Sequence, residues 1–154
     1  MIAVTAVVVL TRALVAFPLE VQGGSMEPTL RSGDVVLVLK GAVDPRAVQR
    51  GDLVVFDDPQ GGLAVKRVVG LPGDEVAILD GVLFVDGVAP AEPYVDQGSV
   101  DAVYFGPVEV PSSSVFLMGD DRAGSIDSRD YGPVDLDRLT GRVELRVWPP
   151  SGVG

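Results

Sequence analysis

The 154-residue sequence contains no histidine and no cysteine. The first absence excludes Ser-His-Asp and Cys-His catalytic sets and any imidazole-held zinc. The second excludes disulfides, a thiolate nucleophile and iron–sulfur ligation, and leaves the redox compartment unmarked. Hydrolytic chemistry therefore has only Ser, Thr, Lys, Asp, Glu and Tyr to draw on. Lysine is itself scarce, confined to Lys40 and Lys66. Positive charge is also short, with 12 Lys plus Arg against 22 Asp plus Glu and a net charge of −10. Neutralising a phosphate backbone needs clustered cations, so no nucleic-acid partner is expected. With 47% hydrophobic residues the chain nevertheless has enough apolar content, at this length, to bury the core of one domain.

Nineteen glycines and 12 prolines interrupt the chain too often for long helices, and the apolar runs between them are rich in valine. This pattern predicts an all-β domain of short strands. A Gly-Asp turn followed by an apolar run recurs at Gly33-Asp34 before Val35 to Leu39, at Gly51-Asp52 before Leu53 to Phe56, and at Gly73-Asp74 before Glu75 to Leu79. Asp80-Gly81, between Glu75 to Leu79 and Val82 to Val85, predicts a hairpin with a two-residue type I′ turn. Val115 to Met118 and Arg142 to Trp148 read as two further strands. Residues 86–114, rich in Pro, Gly and Ser, read as an insertion or small subdomain at the edge of the main sheet. Residues 149–154 read as a loose tail. The N-terminus differs: from Ile2 to Phe17 the only charge is Arg12. Residues 1–17 are expected to form an apolar membrane anchor; because a helical span needs about 20 apolar residues, either Met1 lies inside a longer anchor or the helix is shallow, with a buried core strand or helix as the structural alternative. Residues 18–148 would then form the folded domain.

A histidine-free hydrolase needs another base, and a lysine serves when burial disfavours its charged form. Lys66 lies in the apolar run from Leu63 to Val69, beside Arg67. Period-2 alternation puts the two cations on opposite faces, which allows one to be buried while the other is solvated. Lys40 ends its run before Gly41, where an exposed ammonium is the plain reading. The nucleophile candidate is Ser25 in Gly23-Gly24-Ser25-Met26-Glu27-Pro28, where two glycines let a substrate backbone approach and Pro28 stiffens the turn. Taken singly, Ser25 also reads as an ordinary Gly-Ser turn and Lys66 as a solvated strand residue.

Four separated blocks go further: Ser25-Met26-Glu27-Pro28-Thr29-Leu30; Arg50-Gly51-Asp52-Leu53-Val54-Val55-Phe56; Lys66-Arg67-Val68-Val69-Gly70-Leu71-Pro72-Gly73-Asp74; and Met118-Gly119-Asp120-Asp121-Arg122, continuing through Ser125, Asp127, Ser128 and Arg129 to Tyr131-Gly132-Pro133-Val134. In this order the chain resembles the type I signal peptidases, the Ser/Lys leader peptidases that remove signal peptides from exported preproteins. The resemblance implies a small antiparallel, barrel-like β-sheet with an inserted β subdomain and an N-terminal anchor helix. It implies that Ser25 attacks the scissile carbonyl, that Lys66 takes and returns the proton, that Ser125 orients the lysine, and that Asp127 and Arg129 form a structural ion pair. The signal peptide would lie extended between Leu19, Glu20, Val21 and Gln22 on one side and Leu63, Ala64 and Val65 on the other. Met26 would wall a pocket for small side chains. The implied partners are preprotein signal peptides and membrane lipid, in a single-pass protein whose catalytic domain lies outside the cytoplasm.

No cofactor is expected. The carboxylates Asp120, Asp121, Asp127 and Asp130 lack calcium-loop spacing, so no metal is expected either. Two positions depart from the family pattern. Gly23 stands where many relatives carry a serine that donates to the oxyanion, and Glu20 occupies a position more often uncharged or basic. A peptidase dedicated to one substrate, or a peptide-binding β module with a silent Ser25, are the alternative readings. Self-cleaving repressors share the chemistry but carry a DNA-binding domain ahead of the serine, for which the 24 apolar-rich residues before Ser25 leave no room.

Overall fold

The structure is a computed structural model and describes residues 16–40, 47–96 and 104–150. Among the described residues ten strands form two antiparallel sheets. The larger has the order β1-β2-β10-β3-β4-β8-β9 and the smaller β6-β5-β7. Their ranges are β1 Ala16–Glu20, β2 Val35–Lys40, β3 Leu53–Asp57, β4 Leu63–Gly70, β5 Glu75–Leu79, β6 Val82–Val85, β7 Tyr104–Glu109, β8 Ser114–Met118, β9 Val134–Asp135 and β10 Leu139–Trp148. A single helical turn, α1 (Ser128–Tyr131), and a 3₁₀ turn at Leu136–Arg138 join β8 to β10 through β9. Among the described residues no helix is long and apolar enough to cross a membrane.

The recurring Gly-Asp units are one device used three times. Gly33, Gly51 and Gly73 take φ of 90°, 97° and 87°, the left-handed conformation required at the third position of a type II turn. The aspartate that follows turns its carboxylate back to the N–H three residues earlier: Arg31 N to Asp34 at 2.9 Å, Gln49 N to Asp52 at 2.9 Å and Leu71 N to Asp74 at 2.6 Å. Each turn launches one of β2, β3 and β5. The Asp80-Gly81 hairpin forms as expected, with φ of 51° and 77° at its two central residues and Leu79 opposite Val82.

The small sheet begins at Glu75, ahead of the insertion expected over 86–114, because the β5–β6 hairpin pairs with β7 and not with the main sheet. Strand β7 carries Gly106 and Pro107 and lies at the edge of that sheet, where a residue without an N–H is tolerated. The expected anchor over 1–17 lies outside the described residues except for Ala16 and Phe17, which open β1 and pair with Leu39 and Val38. Of the tail, 151–154 also lies outside them.

Three apolar clusters hold the sheets. Met26, Leu30, Val36, Val38, Val55 and Val65 fill the space between the nucleophile segment and the main sheet. Phe56, Val68, Val115, Leu117 and Val134 pack beneath β3, β4 and β8. Val69, Val76, Ile78, Phe116 and Met118 join the two sheets. Tyr131 packs against Phe56, with ring centroids 6.5 Å apart, and its hydroxyl is buried without a hydrogen-bond partner. Burial, reinforced by Asp58, pushes its phenol above the usual value, so it remains protonated. Tyr131→Phe removes an unsatisfied polar atom while keeping the ring, and is expected to stabilise the fold by about 1 kcal/mol. The check is the thermal midpoint, which should rise by about 2–4 °C; a fall would show that the hydroxyl is paired in solution.

Candidate active site

Strand β4 is central, and both of its adjacent cations are buried: Lys66 and Arg67 are each only 4% exposed. Neither is therefore solvated, and the reason is electrostatic. Arg67 is neutralised by Asp120 through two bonds, Nε to Oδ1 at 2.8 Å and Nη2 to Oδ2 at 2.7 Å, and donates a third to Gly51 O at 2.8 Å. Lys66 has no such carboxylate in contact. Its Nζ lies 2.7 Å from Ser25 Oγ in a hydrogen bond spanning 41 residues of sequence. Burial is the largest influence on this amine and holds its pKa below the ordinary lysine value; the charges of Asp127, Asp58 and Asp120 oppose that shift, while Arg129 assists it. Lys40, by contrast, is exposed and sits 5.4 Å from the Phe17 ring.

The segment from Val21 to Asp34 that carries Ser25 is pinned at several points. Its ends are joined by Val21 N to Asp34 O at 2.8 Å and Gly33 N to Val21 O at 2.9 Å. Met26 and Leu30 anchor it in the core. Thr29 Oγ1 donates to Asp120 Oδ2 at 2.6 Å, and Arg146 bonds both Thr29 O at 3.4 Å and Asp34 Oδ2 at 2.8 Å. Asp121 N donates to Ser25 O at 3.1 Å, tying the nucleophile's own carbonyl to the loop after β8.

That loop brings the remaining candidates near. Asp127 is fully buried and caps α1. It receives Arg129 Nε and Nη2, both at 2.9 Å, and Gly119 N at 3.0 Å. These bonds hold its carboxyl below the usual carboxylate range in spite of burial. Ser125 is buried, and its hydroxyl makes no hydrogen bond, to Lys66 or to any other described residue. It packs on Gly119, where an added Cβ would collide with Ser125 Oγ and with the carbonyl oxygen of Ser25. Glycine is thus required at 119 to let the two serines approach. The four aspartates once considered together are separately engaged: Asp120 with Arg67, Asp127 with Arg129, Asp130 with the N–H of Asp127, and Asp121 with the N–H of Gly124. Among the described residues no cluster suited to a metal ion occurs.

A cleft of about 420 Å³ opens beside Ser25. It is lined by Leu19, Glu20, Val21, Gln22, Met26, Leu63, Ala64 and Val65, all expected from the sequence, and by Gly61 and Gly62, which were not. The glycine pair sits at the tip of the β3–β4 hairpin, and its placement there follows only from that hairpin folding over the cleft. The cleft separates two unpaired strand edges. Among the described residues β1 pairs with β2 alone, and β8 meets β4 only from Arg67 onward, so Leu63 to Lys66 pair there only on the β3 side. Since Val21 bonds toward β2, alternation turns the peptide groups of Glu20 and Gln22 toward the cleft.

Comparison with known proteins gives a consistent result. A family model described as "Signal peptidase, peptidase S26" matches residues 1–148. Signal peptidase I of Bacillus caldolyticus is 37% identical over 141 residues, covering 84% of this chain and 78% of that protein. Signal peptidase I of Bacillus licheniformis is 37% identical over 150 residues, covering 91% and 81%. A crystal structure of a signal peptidase I from Enterococcus faecalis V583 superposes with a TM-score of 0.55 at 30% identity, over 62% of this chain and 95% of that one.

Proposed function

The chain belongs to the peptidase S26 family of signal peptidases, and on that premise we propose that it is a Ser25/Lys66 endopeptidase that cuts signal peptides from preproteins after small-x-small motifs. The observation that carries the assignment of roles is the 2.7 Å contact between Lys66 Nζ and Ser25 Oγ inside a buried setting that favours the neutral amine. Ser25 Oγ attacks the scissile carbonyl carbon as Lys66 accepts the hydroxyl proton. The tetrahedral intermediate collapses to a Ser25 acyl-enzyme, and Lys66 gives its proton to the departing amine. Water then attacks the ester, with Lys66 again as base, releasing the carboxyl product.

Ser125 is the lysine-orienting hydroxyl in this reading. It is buried next to the Ser25 carbonyl, and its hydroxyl has no hydrogen-bond partner among the described residues. The Asp127–Arg129 pair fixes the backbone of Gly119 and hence the loop holding Ser25. The Ser25 N–H is one oxyanion donor, and Gly23 supplies no side chain for a second. The substrate enters as a strand between Glu20 to Gln22 and Leu63 to Val65, completing both open edges. Its small side chains meet a wall formed by Met26 and Val65. Residues 1–15 form the membrane anchor in this reading, with a single pass and with the domain from Ala16 onward outside the cytoplasm, on the lipid surface that presents the substrate.

The test is cleavage of a signal-peptide-bearing preprotein by the full chain in detergent, with sequencing of the product N-terminus. A product N-terminus that begins with the residue directly after a small-x-small motif is the expected result. A folded protein that leaves every member of a preprotein panel uncut would overturn the assignment.

A further inference from the structure

The linker between β6 and β7 carries Glu92 and Tyr94, two residues apart, and each engages a different buried arginine of the main domain. The Glu92 carboxylate takes Arg122 in a two-pronged pair, Nη1 to Oε2 at 3.0 Å and Nη2 to Oε1 at 2.5 Å, with both side chains at least nine-tenths buried. The Tyr94 ring lies over the guanidinium of Arg67, 3.8 Å from centroid to Cζ, on a cation already bonded to Asp120. The Tyr94 hydroxyl closes the loop by donating to Glu92 Oε1 at 3.2 Å.

Both arginines bear on the same short stretch after β8. Arg122 Nε donates to Gly119 O at 3.0 Å, and Arg67 holds Asp120. That stretch is also where Gly119 contacts Ser125 and where Asp121 N holds Ser25 O. Arg67 is in addition the chain neighbour of Lys66. The linker of the small sheet thus grips, from behind, the backbone that sets both halves of the dyad. None of its described residues lines the cleft beside Ser25.

We propose that Glu92 and Tyr94 form a strap that positions the Ser25–Lys66 pair, with the aromatic face of Tyr94 and the charge of Glu92 as its working parts. The inference deepens the peptidase reading given above and rests on it. Because the strap lies outside the cleft, its loss should slow chemistry and leave substrate binding nearly unchanged. Displacements of the order of an ångström in a reacting pair cost up to about a hundredfold in rate, so a fall in kcat of about ten- to a hundredfold is expected.

The experiment compares the full-length protein with Tyr94→Leu, Tyr94→Phe and Glu92→Gln. It measures kcat and KM on a signal-peptide-bearing preprotein and, separately, the rate of Ser25 acylation by p-nitrophenyl acetate followed by intact mass. Tyr94→Leu and Glu92→Gln should lower kcat and acylation together with KM within about twofold, whereas Tyr94→Phe, which keeps the ring over Arg67, should behave as the parent. Parental acylation in both Tyr94→Leu and Glu92→Gln would overturn the proposal, as would a change confined to KM. Glu92→Gln preserves shape and keeps the test intact if Tyr94→Leu does not fold. A parent that is acylated but cuts no preprotein would instead refute the peptidase reading, and the acylation series would still decide the strap.

Discussion

Ser25→Ala is expected to reduce preprotein cleavage by about four to six orders of magnitude, with Lys66→Met close behind and the double variant no worse than Ser25→Ala. Under the proposed roles the two residues fail together, because a serine hydroxyl at neutral pH is a weak nucleophile without a base, and the Lys66 amine is 2.7 Å away. Binding should survive in both variants, since Ser25 is one of eleven residues lining the cleft between β1 and β4, Lys66 is not among them, and either substitution leaves the other lining residues in place. The same geometry sets the pH dependence. In the proposed mechanism Lys66 works as the neutral amine, and burial lowers its pKa from the ordinary lysine value of 10.5. Turnover should therefore be lost as the pH falls through that lowered pKa. Asp58 acts on Lys66 in the opposite sense, favouring the ammonium form. Removing that charge in Asp58→Asn should lower the lysine pKa further and move the acid limb of the kcat profile to lower pH. An acid limb that stays put or moves upward would mean that another group limits the rate.

Arg67→Met is expected to be the most damaging single change to stability, costing about 3–5 kcal/mol, or about 6–20 °C in thermal midpoint for a chain of this size. Arg67 and Asp120 are buried together, with side chains 5% and 0% exposed. Once the guanidinium is gone, the carboxylate keeps only the Thr29 hydroxyl as a side-chain donor. A lone buried charge is far more costly than a buried pair, and a pair replaced by apolar groups is often nearly neutral. Hence Arg67→Met combined with Asp120→Leu should regain much of the lost stability, though not the activity, since Thr29 and the stretch after β8 lose their common tether. Denaturant titration of the parent, single and double variants is the check. A double variant no more stable than Arg67→Met would show that desolvation of Asp120 is not the cause.

Some of this was legible from short stretches of sequence. The three Gly-Asp turns and the Asp80-Gly81 hairpin are local events, decided by φ and by a carboxylate reaching back three residues, and they formed where the residues placed them. Strand β1 was not legible, since Ala16 to Glu20 continues an apolar run and only its pairing with β2 marks it as a strand. Strand β7 was hidden by its Gly-Pro pair, which an edge position accommodates. Gly61 and Gly62 border the cleft, and nothing in their immediate sequence indicates it.

Residue content alone determined the chemistry available to this protein. Without histidine or cysteine, hydrolytic chemistry was left to Ser, Thr, Lys, Asp, Glu and Tyr, and it was the resemblance carried by four blocks in order that singled out Ser25 and Lys66 among them. Tertiary structure decided what period-2 alternation left open, that Arg67 is buried as deeply as Lys66. Alternation reports which face a side chain takes, but whether that face is wet depends on the rest of the chain. Here the partners arrive from far away: Asp120 lies 53 residues from Arg67 and 91 from Thr29, and Glu92 lies 30 from Arg122. Such contacts exist only after the sheets close, because it is closure that removes water from both charges and makes each the other's necessary partner.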